Sequence, residues 1–290
     1  MTKKPRRGGA DVLSWCKIGA VMEVLIWGAR GSVPNFSKDK IRFGTNTPCV
    51  EVRLAGGQRL VFDAGTGIVS LGETAAGESR PDLHLFLTHF HWDHIQGLPF
   101  YRGLYDESCR IRVYGKPGIE TVFPVQMSEP FSPVPFETLP ADVQVQPVVE
   151  TLELEGASVT PFSLNHPQGC YGYVLEESGA KLVYATDTEP DQGEGDRRLL
   201  EAAESADLLI MDTNNSLEEA THRSGWGHST WRDAASVASK AGVKKLVLFH
   251  HDPFHDDAKV LEKENLARDI FPSSFSAYEG MRLRPGSEGR

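Results

Sequence analysis

The amino-acid sequence predicts an α/β or α+β domain in which helices cover the outer faces of layered sheets. Short segments rich in Val, Leu, Ile and aromatic residues alternate along the chain with segments of helical pattern. Gly, Pro, Asp or Asn residues bound most of the apolar segments, as expected where a strand runs into a turn. The chain of 290 residues is 40% hydrophobic and 24% charged, which is typical of a globular protein with a buried core.

The predicted strands and helices begin at Met22 and continue into the C-terminal region. Apolar runs predict strands at residues 22–27, 48–54, 59–63, 83–88, 110–114, 157–163, 171–176, 181–186, 207–212 and 245–249. Helical periodicity predicts helices at residues 67–76, 94–104, 117–127, 196–204, 229–241 and 256–269. The helix at 229–241 has the clearest beginning, because Thr230 and Asp233 form a capping pattern before a face rich in Ala and Val. Residues 129–140 contain four prolines and predict a loop.

Residues 1–21 differ in composition from the rest of the chain. They contain five basic residues and one acid, which leaves 25 basic and 39 acidic residues, a net charge of −14, for residues 22–290. The segment has no clear period, so we expect a disordered tail. A start codon assigned too early would also explain it, because Met22 directly precedes the first predicted strand, and a basic arm that touches nucleic acid is the functional alternative. We therefore treat residues 22–290 as one domain.

The charge and hydropathy patterns exclude several classes of partner. The formal net charge of the whole chain is −10, so it has no overall electrostatic attraction for nucleic acid or anionic lipid. No apolar segment approaches the roughly 20 residues that cross a bilayer. The N-terminus also lacks the apolar core of a secretory signal. We expect a cytoplasmic protein with no membrane partner and no extended nucleic-acid surface.

The segment LFLTHFHWDHIQG, residues 85–97, holds His89, His91, Asp93 and His94 within six residues. A predicted strand runs directly into it, and strand alternation points His89 and His91 in the same direction. In a protein core, four such polar groups would each need a partner. Around Zn²⁺ or a similar ion, imidazoles and carboxylates are good ligands. The segment therefore predicts a metal site.

His-x-His-x-Asp-His after a buried strand resembles the signature of the metallo-β-lactamase superfamily. The resemblance extends over nearly the whole chain: LVFDAGTG supplies Asp63, NHP supplies His166, YATDTE supplies Asp187 and LVLFHH supplies His250. The C-terminal segment AYEGMRL is similar to the family's last strand. This resemblance implies an αββα sandwich, with two mixed sheets, helices on the outer faces and two metal ions at one edge.

The resemblance implies that seven side chains hold two divalent metal ions. The first metal would be held by His89, His91 and His166, the second by Asp93, His94 and His250, and Asp187 would bridge them. Asp63 would orient a metal-bound histidine from behind. Zinc is the expected metal, and manganese or iron would also suit His and Asp ligands.

Two adjacent histidines end the strand at 245–249, and strand alternation lets only one of them face the metals. Alignment of LVLFH with the family's strand favours His250. His251 would then lie behind the ligands or contact the substrate.

Three features narrow the expected chemistry. Asp187 at the bridging position, where β-lactamases carry a Cys, argues against β-lactamase activity. The segment GWGHST, residues 225–230, resembles the His-Ser-Thr loop of the phosphodiesterase branch, which includes tRNase Z and bacterial cyclic-nucleotide phosphodiesterases. There His228 would contact the scissile phosphate or protonate the leaving oxygen, Ser229 would contact the substrate, and Asp93 is the second expected catalytic residue.

The opening segment, residues 29–53, resembles the start of the small-phosphodiesterase branch. Its Arg42, Asn46 and Thr47 would contact the phosphate or the base, although a purely structural role in the loop explains them equally well. An aromatic wall would be needed for the base, and the candidates are Phe131, Phe136 and Trp226.

The resemblance thus implies a dinuclear phosphodiesterase that hydrolyses 3′,5′-cyclic nucleotides to nucleoside monophosphates through a metal-bridging hydroxide. We expect a small phosphodiester substrate. Related enzymes are often homodimers, but the sequence leaves the oligomeric state of this chain open. A tRNase Z-like 3′ tRNA endoribonuclease is the competing interpretation, but its long tRNA-gripping arm would lie between His166 and Asp187, which are only 21 positions apart. A thioesterase- or glyoxalase-like hydrolase would share the fold, and the GHST loop argues against it. A non-enzymatic nucleotide-binding module is disfavoured by the complete ligand set.

Overall fold

The computed structural model describes residues 22–74 and 82–286 of the chain. Within these residues the strands are β1 (Glu23–Gly28), β2 (Cys49–Arg53), β3 (Arg59–Phe62), β4 (Asp82–Phe86), β5 (Arg110–Gly115), β6 (Asp142–Pro147), β7 (Leu152–Leu154), β8 (Ala157–Leu164), β9 (Cys170–Glu177), β10 (Ala180–Ala185), β11 (Leu208–Asp212), β12 (Leu246–Phe249), β13 (Ser274–Ser276) and β14 (Arg282–Leu283). The α-helices are α1 (Gly67–Thr74), α2 (Trp92–Ile95), α3 (Ile119–Gln126), α4 (Glu194–Ala203), α5 (Leu217–His222), α6 (Trp231–Ala241) and α7 (Asp257–Ile270). The predicted tail, residues 1–21, lies outside the described residues.

Two mixed sheets of seven strands each form the centre of the molecule. The strand orders are β14-β1-β2-β3-β4-β5-β6 and β13-β12-β11-β10-β9-β8-β7. Strands β3 to β6 are parallel to one another in the first sheet, as are β10 to β13 in the second, and the other neighbours are antiparallel. This architecture confirms the predicted α/β sandwich.

The central strands bury both of their faces, which explains their nearly continuous apolar sequences. In β11, Leu208 and Ile210 pack into the core between the sheets, whereas Leu209 and Met211 face the helices on the outside. Helices α1 and α3 cover the outer face of the first sheet, and α4, α6 and α7 cover that of the second. Helix α6 begins with the predicted capping box, in which the Thr230 hydroxyl accepts from the Asp233 amide.

Some predicted elements were wrong or missing. The predicted helix at 94–104 is instead the short α2 followed by two 3-10 turns, Leu98–Phe100 and Arg102–Tyr105, because Gly97, Pro99 and Gly103 interrupt the helical pattern. Strands β6, β7 and β13 were not predicted. In the edge strand β6, Val143 and Val145 alternate with exposed polar residues, a short strand pattern that was overlooked, and β7 and β13 are only three residues long. Helix α5 is also short and buries none of its residues.

Candidate metal centre

The side chains of the candidate centre follow the ends of strands in both sheets. They are Asp63 after β3, His89 and His91 after β4, Asp93 and His94 on α2, His166 after β8, Asp187 after β10, Asp212 at the end of β11 and His250 after β12. Asp63, Asp187 and His250 have left-handed backbone, with φ of 61°, 54° and 57°. Non-glycine residues pay a steric cost in this region, and such strain concentrates at functional sites.

The first group of side chains consists of His89, His91, His166 and Asp187. Nε2 of His166 lies 3.1 Å from Nδ1 of His91 and 3.7 Å from Oδ2 of Asp187. Nε2 of His89 lies 3.5 Å from the same Asp187 oxygen and makes no hydrogen bond to the described residues. One ligand atom from each of the four residues falls within 4.8 Å of the others, which is the spacing of a metal site.

The second group consists of Asp93, His94 and His250. Oδ2 of Asp93 lies 3.0 Å from Nε2 of His250 and 3.4 Å from Nε2 of His94. Asp187 reaches this group as well, because its Oδ1 lies 3.1 Å from His250 Nε2 and its Oδ2 lies 3.3 Å from His94 Nε2. The structure therefore brings all seven predicted ligand side chains together, with Asp187 between the two groups.

The position of the proton on His166 indicates that the nitrogen and oxygen atoms of the two groups suit a cation. Its Nδ1 lies 2.9 Å from the carbonyl oxygen of Gly227, and a carbonyl only accepts hydrogen bonds. The proton of neutral His166 is therefore on Nδ1, and Nε2 points a lone pair at Asp187, itself an acceptor. In His94, Nδ1 lies 2.8 Å from the Asp63 carboxylate and carries the proton of the neutral ring. Its Nε2 faces Asp93 and Asp187, where it holds a second proton or offers a lone pair to a cation that replaces that proton. Converging acceptors of this kind fit divalent metal ions.

The charges of the buried side chains also favour a bound cation. Burial alone would lower the pKa of His94, but the carboxylates of Asp93, Asp187 and Asp63 together raise it well above its ordinary range. Burial likewise opposes ionisation of Asp187, yet His250 and His94 hold the pKa of that carboxyl well below its usual value. The buried carboxylates therefore create a negative potential that favours a bound cation.

Asp63 forms a buried hydrogen-bonded network behind the ligands. Its carboxylate accepts from the amide and hydroxyl of Thr88 at 2.9 Å each and from the Tyr184 hydroxyl at 2.9 Å. The same carboxylate contacts His94 on the side facing away from the two ligand groups. This network fixes the orientation of the His94 ring and of the residue that precedes His89.

His250 and His251 face different surroundings. The His250 ring contacts Asp93 and Asp187, as described above, and stacks on His94 with ring centroids 5.3 Å apart. His251 is completely buried, its Nε2 lies 3.0 Å from the carbonyl oxygen of Ala277, and its ring packs against Phe43. Burial holds the pKa of His251 well below its ordinary value. Among the described residues it contacts no predicted ligand, and its burial leaves it no surface for the predicted substrate contact.

The adjacent histidines provide a matched pair of variants. We predict that His250→Ala binds one metal ion fewer per chain and loses nearly all activity, because it removes a ring that faces Asp93 and Asp187. His251→Ala should keep the full metal content, although it leaves a cavity in the core. Metal analysis of the purified variants, with thermal unfolding as the control for folding, checks this. Loss of metal from His251→Ala alone would contradict the assignment.

His228 lies beside both groups and is paired with Asp212. Its Nδ1 is 2.9 Å from Oδ2 of Asp212, and its ring lies 5.1 Å from that of His250 and 5.4 Å from that of His166, centroid to centroid. Burial lowers the pKa of His228, but the Asp212 carboxylate outweighs burial and raises it to about 9. The imidazole is therefore positively charged at neutral pH in the absence of other cations.

Sequence reasoning did not identify several residues that support the site. Asp212 was missed, although it ends an apolar strand in the same way as other site aspartates. The backbone amide of Ser32 donates to Asp93 at 2.7 Å, which no side-chain pattern reveals. Lys263, buried on α7, donates to the carbonyl oxygens of Thr213 and Asn214 at 2.6 and 3.2 Å and so fixes the loop after Asp212.

The residues predicted to contact substrate have mostly structural surroundings. Thr47 and Ser229 are completely buried, so direct substrate contact is not supported for either. The Thr47 hydroxyl accepts from the Gln96 amide at 2.9 Å, and Ser229 donates to a backbone carbonyl at 2.6 Å. Asn46 accepts from Thr66 at 3.0 Å and thereby holds the opening loop.

The three aromatic candidates and Arg42 have different environments. Phe136 packs edge-on against Phe123, which makes it part of the core packing. Trp226 and Phe131 are both largely exposed. Arg42 is exposed and lies over the Phe43 ring, 5.2 Å from its centroid.

Comparison with known proteins places the chain among metal-dependent hydrolases of one fold. Residues 58–251 match the family described as Beta-lactamase superfamily domain. Ribonuclease Z of Archaeoglobus fulgidus is 25% identical to the chain over an alignment of 319 positions that covers 91% of this chain and 97% of that protein. Because 91% of 290 residues is about 264, about 55 of the 319 positions of the alignment face gaps in this chain.

Two solved structures show the same fold. The short form of human tRNase Z has a TM-score of 0.63 and 20% identity, and the match covers 90% of this chain and 98% of that one. A diphosphatase from the PhnP family has a TM-score of 0.65 and 23% identity, with coverages of 90% and 97%. In the described part of the chain, no helix combines the length and apolar character needed to cross a membrane.

Proposed function

The chain belongs to the beta-lactamase superfamily and is a metal-dependent hydrolase, and from this premise we propose that it is a two-metal phosphodiesterase. The observation that carries the proposal is the His228–Asp212 pair next to the two ligand groups. Phosphoryl transfer spreads negative charge over several oxygens, so a cationic imidazole beside two metal ions suits a phosphodiester. A lactam or thioester carbonyl develops charge on a single oxygen and has less need of an additional cationic imidazole.

We assign His89, His91 and His166 to the first metal, Asp93, His94 and His250 to the second, and Asp187 to both. Zinc is proposed because imidazole-rich sites with one or two carboxylates suit it. When bound, two divalent ions lower the pKa of coordinated water and neutralise phosphoryl oxygens. Asp63 holds His94 in the orientation that this assignment requires.

His228 is assigned to the substrate. Its Nδ1 is occupied by Asp212, so Nε2 remains for a phosphoryl or leaving oxygen. Burial lowers the pKa of His228, but the Asp212 carboxylate raises it to about 9 in the absence of metal ions and so favours the protonated ring. The ring can therefore donate a hydrogen bond to the charge that develops, or a proton to the departing ester oxygen. Asp93 supports the site by contacting His250, and the Ser32 amide holds the Asp93 carboxylate in place through a hydrogen bond.

The names of the curated relatives favour RNA as the substrate. The ribonuclease Z relative matches nearly end to end with this chain, which supports the 3′ processing of tRNA more strongly than cyclic-nucleotide hydrolysis. Cleavage of a tRNA precursor is therefore the first substrate to test.

A small nucleotide is the second candidate, and three observations favour it. About 55 positions of the alignment with the ribonuclease Z relative have no counterpart in this chain. Between His166 and Asp187 the structure contains only β9, β10 and their tight turn at residues 178–179, so this stretch carries no RNA-gripping arm. The formal charge of −10 also gives no general attraction for a folded RNA.

A side-by-side assay distinguishes the two candidates. Metal-loaded protein is incubated with a tRNA precursor that carries a 3′ trailer, with 3′,5′-cyclic nucleotides and with a generic aryl phosphodiester, each with and without a chelator. Chelator-sensitive release of the trailer supports the RNA candidate, and cyclic-nucleotide turnover without trimming supports the small substrate. Absence of hydrolysis with all three substrates would refute the phosphodiesterase proposal itself.

A further inference from the structure

A cleft lined by aromatic side chains shares helix α2 with the candidate metal centre. Its volume is about 460 Å³, whereas the next described cleft has about 230 Å³. It is lined by Trp92, Gln96, Pro99, Phe100, Tyr105, Gln126, Phe131, Ser132, Pro133 and Val134. This volume lies within the usual range of small-molecule sites, roughly 300–1,000 Å³.

The aromatic residues of this cleft are unusually exposed. Trp92, Phe100 and Phe131 leave 63%, 68% and 64% of their surface accessible. Single exposed apolar residues are common on proteins, but several grouped around one concavity indicate a binding site. These exposed aromatic side chains therefore indicate that the cleft binds a ligand.

Helix α2 connects the cleft to the ligand groups. Trp92 lies between His91 and Asp93 in the chain and begins α2, which also carries His94. The opposite wall is fixed to the same helix, because Gln126 at the end of α3 donates to the Ile95 carbonyl at 2.7 Å. A group bound between these walls is thereby held in a fixed relation to Asp93 and His94.

The chemistry of the lining selects an uncharged, planar group. None of the ten lining residues carries a charge, so a phosphate is not expected inside the cleft. The side-chain oxygens of Gln96 and Gln126 accept no hydrogen bond from the described residues, while both amide nitrogens are engaged. Two free acceptors beside exposed aromatic rings suit a heterocycle with amino groups.

We propose that this cleft binds the nucleobase of the nucleotide whose phosphate is held at the metal centre. The inference rests on the proposed phosphodiesterase function and applies to both an RNA and a small nucleotide. The aromatic side chains stack on the base and tolerate different bases, because every base offers a π-face. The metal centre takes the charged phosphate, and the cleft takes the neutral ring.

Equilibrium binding of adenosine 5′-monophosphate and ribose 5-phosphate to the full chain tests the cleft without turnover. The two probes share the phosphate and the sugar and differ only in the base. We expect the nucleotide to bind the unaltered protein at least about tenfold more tightly, as base stacking provides. Trp92→Ala and Phe131→Ala should each remove most of this preference while the affinity for ribose 5-phosphate and the metal content stay unchanged.

Phe254→Ala is the matched control, because Phe254 is comparably exposed but does not line the cleft. It should keep the preference for the nucleotide. Equal binding of the two probes by the unaltered protein would overturn the proposal. The proposal would also be overturned if the cleft variants kept the preference for the nucleotide but changed from dimer to monomer in light scattering. The exposed aromatic side chains would then form a contact between copies of the chain. Failure of the phosphodiesterase proposal is seen separately, in the hydrolysis assay.

Discussion

Asp187→Ala is expected to lose both metal ions and to lower turnover by a factor on the order of 10³ or more. The two carboxylate oxygens of Asp187 reach both ligand groups. Its Oδ2 faces His89, His94 and His166, and its Oδ1 faces His250. Removing this carboxylate therefore weakens both proposed metal sites at once. Replacing a ligand that belongs to one site alone, such as His250, should remove only one metal ion.

Metal analysis after gel filtration, combined with phosphodiester turnover, measures this effect. Glu194→Ala is the matched control, because Glu194 is an exposed acid on α4 that only pairs with neighbouring arginines. It should retain both metal ions and full activity. If Asp187→Ala loses a single metal ion and binds the other normally, Asp187 belongs to one site and the bridging assignment is wrong.

The strands and the metal-binding segment at residues 85–97 could be predicted from local patterns, and the resemblance to a known family then added the sandwich and the other ligand positions. Each predicted ligand lies within a few residues of an apolar strand or on the short helix α2, and the apolar pattern locates those strands. Asp63 and Asp187 also follow strands, and the structure adds that both have left-handed backbone. Their assignment to two metal sites came from the resemblance to the metallo-β-lactamase superfamily and not from the strand pattern.

The remaining parts of the site depend on tertiary contacts that no local pattern contains. Asp212 forms a pair with His228 across sixteen residues, and the Lys263 contacts join α7 to a loop about fifty residues earlier. Thr47 resembled a substrate contact in the sequence, yet its hydroxyl bonds Gln96 inside the protein. The polar type of a residue predicts that it needs a partner, but only the folded chain decides whether that partner is protein or substrate.

The broken helix after Asp93 and His94 shows how one local error hid a feature of the surface. A continuous helix at 94–104 would bury one apolar face against the sheet. Instead, the 3-10 turns at Leu98–Phe100 and Arg102–Tyr105 leave Phe100 exposed beside Trp92. The aromatic cleft was therefore not predictable from helical periodicity, whereas Phe131 had already been selected as an aromatic candidate.

His228→Ala is expected to lower turnover by a factor on the order of 10² or more while the metal content stays intact. The ring stacks on His250 and meets His166 edge-on. Because its Nδ1 is paired with Asp212 and its Nε2 is assigned to the substrate, its loss should reduce kcat rather than metal binding. The pKa of His228, raised to about 9 by Asp212, means that the protonated form is present below this pH and is lost above it. Bound metal ions nearby would lower this pKa, so the alkaline limb of the activity profile should fall at or below pH 9 and should disappear in the variant.

Turnover profiles across neutral and alkaline pH, measured with metal content on the same samples, check both parts of this prediction. His222→Ala is the control, because His222 is an exposed histidine at the end of α5 and lies outside the ligand groups. It should keep the rate and the alkaline limb. Asp212→Asn should reproduce part of the His228→Ala defect, since the carboxylate both orients the ring and keeps it protonated. A His228→Ala variant with normal turnover, or one that loses metal in proportion to activity, would show that this histidine supports the ligands and does not act on the substrate.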